Sequence, residues 1–147
     1  MSRAVSPPYR EMAEFRYQLR RFLRFSELAA SAAGLEPQQY LLLLALRGLP
    51  PGMQPTVGVL AERLQLRHHS TVELLDRLER RGLVRRSRNT RDRRQILLCT
   101  TPRGGRVLWR LAQHHREALR MVGPNLVRAL RAVLREPERA GRRGSAA

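Results

Sequence analysis

From Tyr9 to about Ala33, the positions Met12, Phe15, Leu19, Phe22, Leu23, Ser26, Ala30 and Ala33 recur at steps of three and four residues. That spacing lays them along one face of a long amphipathic helix, and Gly34 ends it. A second helix starts at Glu36-Pro37, with proline in the first turn, and continues through a leucine run to about Arg47. It is apolar nearly all round, so it is expected in the core. Gly48 and Leu49-Pro50-Pro51-Gly52 form a loop. Thr56 is a suitable N-cap for a short helix over Val57–Leu64. Gln65, Leu66 and Arg67 then make a three-residue turn into a further helix, His68 to about Arg81, closed by Gly82 and buried along Thr71, Leu74, Leu75 and Leu78. Two strand-like segments follow, Leu83–Ser87 and Gln95–Thr100, around the polar stretch Arg88-Asn89-Thr90-Arg91-Asp92-Arg93-Arg94. They predict a β-hairpin with a basic tip. Thr101-Pro102 is an N-cap followed by a first-turn proline. It opens a helix with Leu108, Leu111, His115, Ala118 and Val122 on one face, which Gly123-Pro124 is expected to break. A last helix, Asn125 to about Arg135, carries Leu126, Leu130, Val133 and Leu134. The fold class expected is mainly α with a small β-hairpin. A polar leader (1–8) and a basic tail (137–147) without periodicity are expected to be disordered, flanking one domain over 9–136.

Composition narrows what such a fold can serve. The 147 residues carry 29 arginines, no lysine and 12 acids, for a net charge of +17. Residues 1–33 hold +3, residues 34–79 hold −1, residues 80–94 hold +7 and residues 101–147 hold +8. The densest charge is therefore one fifteen-residue stretch with eight arginines and one acid. A solvated face would interleave signs; this stretch points to a polyanionic partner. The longest apolar run, Tyr40–Leu46, is far short of a membrane span of roughly 18 to 20 residues. The leader has no apolar signal core, so a cytoplasmic protein is expected. The single cysteine, Cys99, excludes an intrachain disulfide framework and a Cys-rich zinc site. No Gly-rich phosphate loop, nucleophile motif or usable His/Cys/Asp spacing suggests an enzyme, and no cofactor is expected.

A short helix, a three-residue turn, a second helix and a basic hairpin have the layout of a winged helix-turn-helix. The N-terminal residues of a helix laid in the major groove reach base edges, and an arginine-tipped hairpin reaches the adjacent minor groove. The text Val59-Leu60-Ala61-Glu62-Arg63-Leu64, His68-His69-Ser70-Thr71-Val72 and Asp76-Arg77-Leu78-Glu79-Arg80-Arg81-Gly82-Leu83-Val84-Arg85-Arg86 continues in register into Asp92-Arg93-Arg94 and Thr101-Pro102-Arg103-Gly104. This ordered set resembles the MarR-type (multiple antibiotic resistance regulator) transcription regulators. The flanking helices extend the resemblance to roughly residues 9–135.

The resemblance implies a winged helix-turn-helix core over about residues 36–100, flanked by N- and C-terminal dimerisation helices over about 9–33 and 102–136. It implies an intertwined homodimer on a pseudo-palindromic DNA operator, usually repressing; control by a small effector is open. By position, His68, His69, Ser70, Glu73 and Arg77 fall on the recognition helix. Asp92 and Arg94 fall on the wing pattern in which the aspartate positions an arginine, with Arg88, Arg91 and Arg93 beside them. Gln65 stands where the family has a turn glycine and should strain the turn; Thr100 replaces a leucine and should loosen the hairpin's packing.

Bland readings stand beside these. Glu73 can accept from cytosine N4 or pair with Arg77 four residues on. Asp76 reads as structural, and Arg80, Arg81, Arg85 and Arg86 as phosphate contacts or solvated side chains. The adjacent histidines of His68-His69 and His114-His115 point about 100° apart and so do not share a metal; no metal site is expected, and His115 reads as a packed or dimer-interface residue. Cys99 reads as a packing residue rather than a redox switch. Tyr40, Phe22 and Trp109 read as core or as lining of an effector pocket. A sequence-tolerant architectural DNA binder is the rival function, and a winged helix serving protein or RNA contacts is a third.

Overall fold

The computed structural model describes residues 6–135. Only the last three residues of the expected leader, Ser6–Pro8, belong to that range; its first five residues and the expected tail lie outside it. The chain forms α1 (Tyr9–Ala32), α2 (Pro37–Arg47), α3 (Val57–Leu64), α4 (His68–Arg80), β1 (Val84–Arg88), β2 (Ile96–Thr100) and α5 (Pro102–Leu134). It is a mainly α fold with one two-stranded antiparallel sheet, as the pattern predicts. Contacts divide it into two units: Arg24–Glu117, and a second drawn from the segments up to Leu23 and from Ala118 on.

The first unit holds the core. Leu42, Leu43, Leu60, Leu74, Leu75, Leu78, Leu83, Val84 and Leu98 are buried together, with Tyr40, Leu108 and Leu111. The helix ends are built as the residue types require. Gly34 adopts φ +75°, and Leu35 N–H donates to the Ala30 carbonyl at 2.9 Å, closing α1. Glu36 and Gln39 form a reciprocal capping box ahead of α2, with Pro37 in its first turn. Thr56 Oγ1 accepts from Val59 N–H at 3.3 Å, as an N-cap does. Thr101 caps α5 by accepting from Gly104 N–H at 3.0 Å.

The strands pair Val84 with Thr100 through Arg88 with Ile96. They start one residue later than the apolar pattern suggests, so Arg88 closes β1 rather than opening the tip. The leucine run of α2 is not wholly buried: Leu41 and Leu44 are exposed, because α3, α4 and β2 pack against α2 without covering that side.

The second unit is less enclosed. Ala129 is its buried hydrophobic residue, while Tyr9, Met12, Tyr17, Leu23, Leu119, Met121, Val127, Leu130 and Leu134 are exposed. Here the expected break at Gly123-Pro124 does not occur, and α5 runs through Pro124 as one helix. Proline disfavours the α conformation of the preceding residue largely by a clash with its Cβ; Gly123 has none. The remaining costs, a lost main-chain hydrogen bond and the crowding of the ring against the carbonyl four residues back, do not end the helix.

Candidate nucleic-acid interface

The buried Thr71, Leu74, Leu75 and Leu78 fix one face of α4 against the core. At about 100° per residue, the opposite face presents His69, Glu73 and Arg80, all exposed. Asp76 and Glu79 lie to one flank, Ser70 and Arg77 to the other. His68 and His69, at the helix N-terminus, are exposed, and Ser70 is half-buried. The turn ahead of them places Gln65 at φ 54°, the sole non-glycine positive φ among the described residues. The position thus has the conformation expected of a glycine site. The Gln65 amide donates to the Glu62 carbonyl at 2.8 Å, part compensation for the strained backbone.

Arg77 does not pair with Glu73. Its guanidinium turns to Glu36 at the start of α2, at 3.2 Å, because the flank it occupies faces α2. Glu73 has no ion-pair partner among the described residues. Arg81 likewise reaches α2, donating to Gln39 Oε1 at 2.9 Å.

Arg86 of β1 is neither a solvated side chain nor a free phosphate contact. It spans Asp76, at 2.7 Å, and Glu79. Burial works against its charge, but the hydrogen bonds it donates to both carboxylates and their negative charge outweigh that and hold the guanidinium above its ordinary pKa. The charge of two acids that would sit beside a polyanion is thereby half offset from within. The same contact joins β1 to α4. Asp76 is structural, as the sequence suggests; the Arg86 partnership is visible in sequence only once the hairpin is known to fold back along α4.

The hairpin tip is organised by side chain to main chain bonds. Asp92 Oδ1 accepts from Arg94 N–H and Asn89 Oδ1 from Arg91 N–H, both at 3.0 Å. Asn89 Nδ2 donates to Gln95 Oε1 at 2.7 Å. Asp92 therefore shapes the turn through the Arg94 backbone; no ion pair joins the two side chains. Arg88, Arg91, Arg93 and Arg94 are exposed and none has a carboxylate within 4.0 Å among the described residues. The structure thus gathers two sets on unit Arg24–Glu117: the α4 N-terminus and four unneutralised hairpin arginines.

The hairpin's base is fastened to the helices. Leu98 N–H donates to Pro55 O at 2.8 Å and Thr101 N–H to Leu83 O at 3.1 Å. Thr101 Oγ1 donates to Gly82 O at 2.6 Å. Gly104 lies so close to Leu83 that an added Cβ would stand 2.1 Å from its carbonyl oxygen. Cys99 is half-buried and its Sγ donates to Arg85 O at 3.7 Å, which fits a packing residue.

The other flagged residues separate. His115 is buried, with Nδ1 2.7 Å from Leu111 O and Nε2 2.8 Å from Ser26 Oγ. A carbonyl only accepts, so Nδ1 donates to Leu111 O, and the serine hydroxyl, which can donate or accept, satisfies Nε2. Tyr40 stacks on this ring at 4.4 Å, and burial raises the pKa of its hydroxyl. Ser26 passes in sequence for a small residue of the α1 stripe; its role as partner follows from the packing of α1 beside His115. Phe22 is half-buried, but Trp109 is 64% exposed and is not a core residue. It lies outside the α5 face defined by buried Leu108, Leu111 and His115. Among the described residues no three His, Cys, Asp or Glu side chains group as metal ligands.

A model of the MarR family matches residues 33–95, the segment from the α1–α2 junction through the hairpin tip. The transcriptional repressor CouR, solved bound to a 23-mer DNA duplex, is 30% identical with a TM-score of 0.62, over 81% of this chain and 84% of that one. A MarR family transcription regulator with a TM-score of 0.71 is 22% identical over 85% of this chain and 83% of that one. A mutant MarR from E. coli complexed with operator DNA has 21% identity and a TM-score of 0.61, over 82% of this chain and 90% of that one. No curated protein sequence matches. With the family model on the helix-turn-helix and hairpin, and a 30% identical relative aligned over most of both chains, the chain belongs to the MarR family of winged-helix transcription regulators.

Proposed function

We propose that this chain is a cytoplasmic, homodimeric, sequence-specific DNA-binding regulator that represses from a pseudo-palindromic operator. The carrying observation is the pairing of an exposed α4 N-terminus with a hairpin tip whose arginines have no counterion among the described residues. In this reading His68, His69, Ser70 and Glu73 face base edges in the major groove, and Arg77 contributes from its flank as a phosphate contact. Arg88, Arg91, Arg93 and Arg94 serve the wing, with Arg94 set by Asp92 for the minor groove. The relatives solved on DNA support this assignment by fold. Two symmetric copies of α4 would stand about one DNA turn apart, roughly 34–36 Å.

An effector would act by binding two spacings of these helices with unequal affinity. A groove of about 360 Å³ in the first unit, lined by Ala29, Ala32, Ala33, Val107, Leu111 and the polar heads of Arg110 and His114, suits a small amphipathic acid.

The test compares a fragment from upstream of the gene with random DNA at physiological salt. A regulator binds the first by about a thousandfold or more over the second. A ratio near one identifies the architectural DNA binder that the +17 charge would also suit.

A further inference from the structure

On the flank of α4 away from Arg86, Arg77, Arg80 and Arg81 line an open groove of about 650 Å³ with Gly34, Glu36 and Gln39. Glu36 is the only acid lining it, against three arginines. Gln39 is 2% exposed, and its Oε1 is committed to Arg81 and to Glu36 N–H. Arg77 and Arg81 are therefore held against a wall made by the first turn of α2. Arg80 Nε donates to the carbonyl of Asp76, four residues back, at 3.3 Å, and Arg80 has no carboxylate within 4.0 Å among the described residues.

A helix in the major groove has a phosphate backbone on each side. The wing and Arg86 lie on one flank of α4; this groove lies on the other. It is too open to enclose most of a small ligand's surface, as a metabolite site would. A passing polymer needs only contact.

We propose that Arg77, Arg80 and Arg81 clamp the DNA backbone on the side of the reading helix opposite the wing. Glu36 occupies Arg77 in the free protein and must yield it to a phosphate, acting as an intramolecular competitor. The proposal rests on the DNA-binding reading above and adds a second phosphate track together with a residue that weakens it.

The experiment measures binding of full-length protein to an upstream fragment and to random DNA across a salt series. Arg80→Ala is the primary variant because Arg80 bonds only to its own helix among the described residues. It should weaken both DNAs equally and flatten the slope of log affinity against log salt by about one per bound protomer. Glu36→Gln keeps an accepting side-chain oxygen for the cap but loses the competing charge. It should tighten both DNAs and steepen the slope. Wild-type binding with slopes unchanged in both variants overturns the clamp and leaves the regulator reading intact. A changed preference between the DNAs at constant slope also overturns it, because the arginines would then touch bases. Saturable binding of inorganic phosphate at constant ionic strength without DNA, lost in Arg80→Ala, would assign the groove to a free anion instead. Wild-type protein that binds neither DNA removes both readings together.

Discussion

At the scale of single residues, two main-chain positions decide how the reading helix and the hairpin are held. Gln65 adopts φ 54° at the helix-turn-helix corner. An L-residue there costs about 1–2 kcal/mol relative to its right-handed alternative, offset in part by the amide bond to Glu62. Gln65→Gly removes that strain but admits more unfolded conformations. The net expectation is a gain of about 0.5–1 kcal/mol, seen as a raised urea midpoint at unchanged slope. Gly104 behaves oppositely. An added Cβ meets the Leu83 main chain rather than a yielding side chain. Gly104→Ala should cost about 1–3 kcal/mol in the same measurement, with the helix start pushed off the base of the hairpin. The Gln65 strain is legible from sequence because the resemblance sets Gln65 where the MarR-type regulators have a turn glycine. The Gly104 constraint is not, since it depends on which carbonyl the first turn of α5 lands against.

At the scale of elements, the hairpin is joined to α4 chiefly through Arg86. Its half-buried guanidinium holds Asp76 and Glu79, and those acids lie on the helix proposed to face DNA. Arg86→Ala removes one positive charge and uncovers two negative ones. It should reduce DNA affinity more than Arg88→Ala, which removes one exposed arginine with no acid to release. A competition binding assay with both variants checks this; equal losses would mean that the acids stay neutralised another way. The hairpin itself is readable in the sequence from two short strand-like segments around a turn-rich stretch. The break expected at Gly123-Pro124 shows the limit of such punctuation: a proline disfavours helix but need not end it, the less so when the residue before it has no Cβ to clash. Glu73 and Arg77 show another limit. Spacing of four residues permits an ion pair, but α2 offers Arg77 the carboxylate of Glu36, a choice made by tertiary packing.

At the scale of the molecule, charge and apolar exposure set different requirements. The helix-turn-helix segment is nearly neutral, while the hairpin stretch and the C-terminal third hold almost all of the +17. A dimer carrying +34 should bind any DNA tightly at low salt, so affinity alone will not report recognition. The apolar residues of the second unit bear on the dimer itself. Met121 is 81% exposed, Leu134 71% and Tyr9 70%, on helices too polar on average to cross a membrane. Each exposed side chain of this size forgoes roughly 1.5–3 kcal/mol available on burial, and in the proposed homodimer a second copy of the same helices would supply the cover. Wild-type protein should therefore scatter light as a dimer at micromolar concentration. Met121→Glu combined with Leu130→Glu should yield a folded monomer, with the circular dichroism of the first unit's helices kept. That monomer should lose most of its preference for the operator, because one reading helix addresses only half of a palindrome. A double variant that remains dimeric, or a monomer that keeps full operator preference, would separate recognition from dimerisation and place the interface elsewhere.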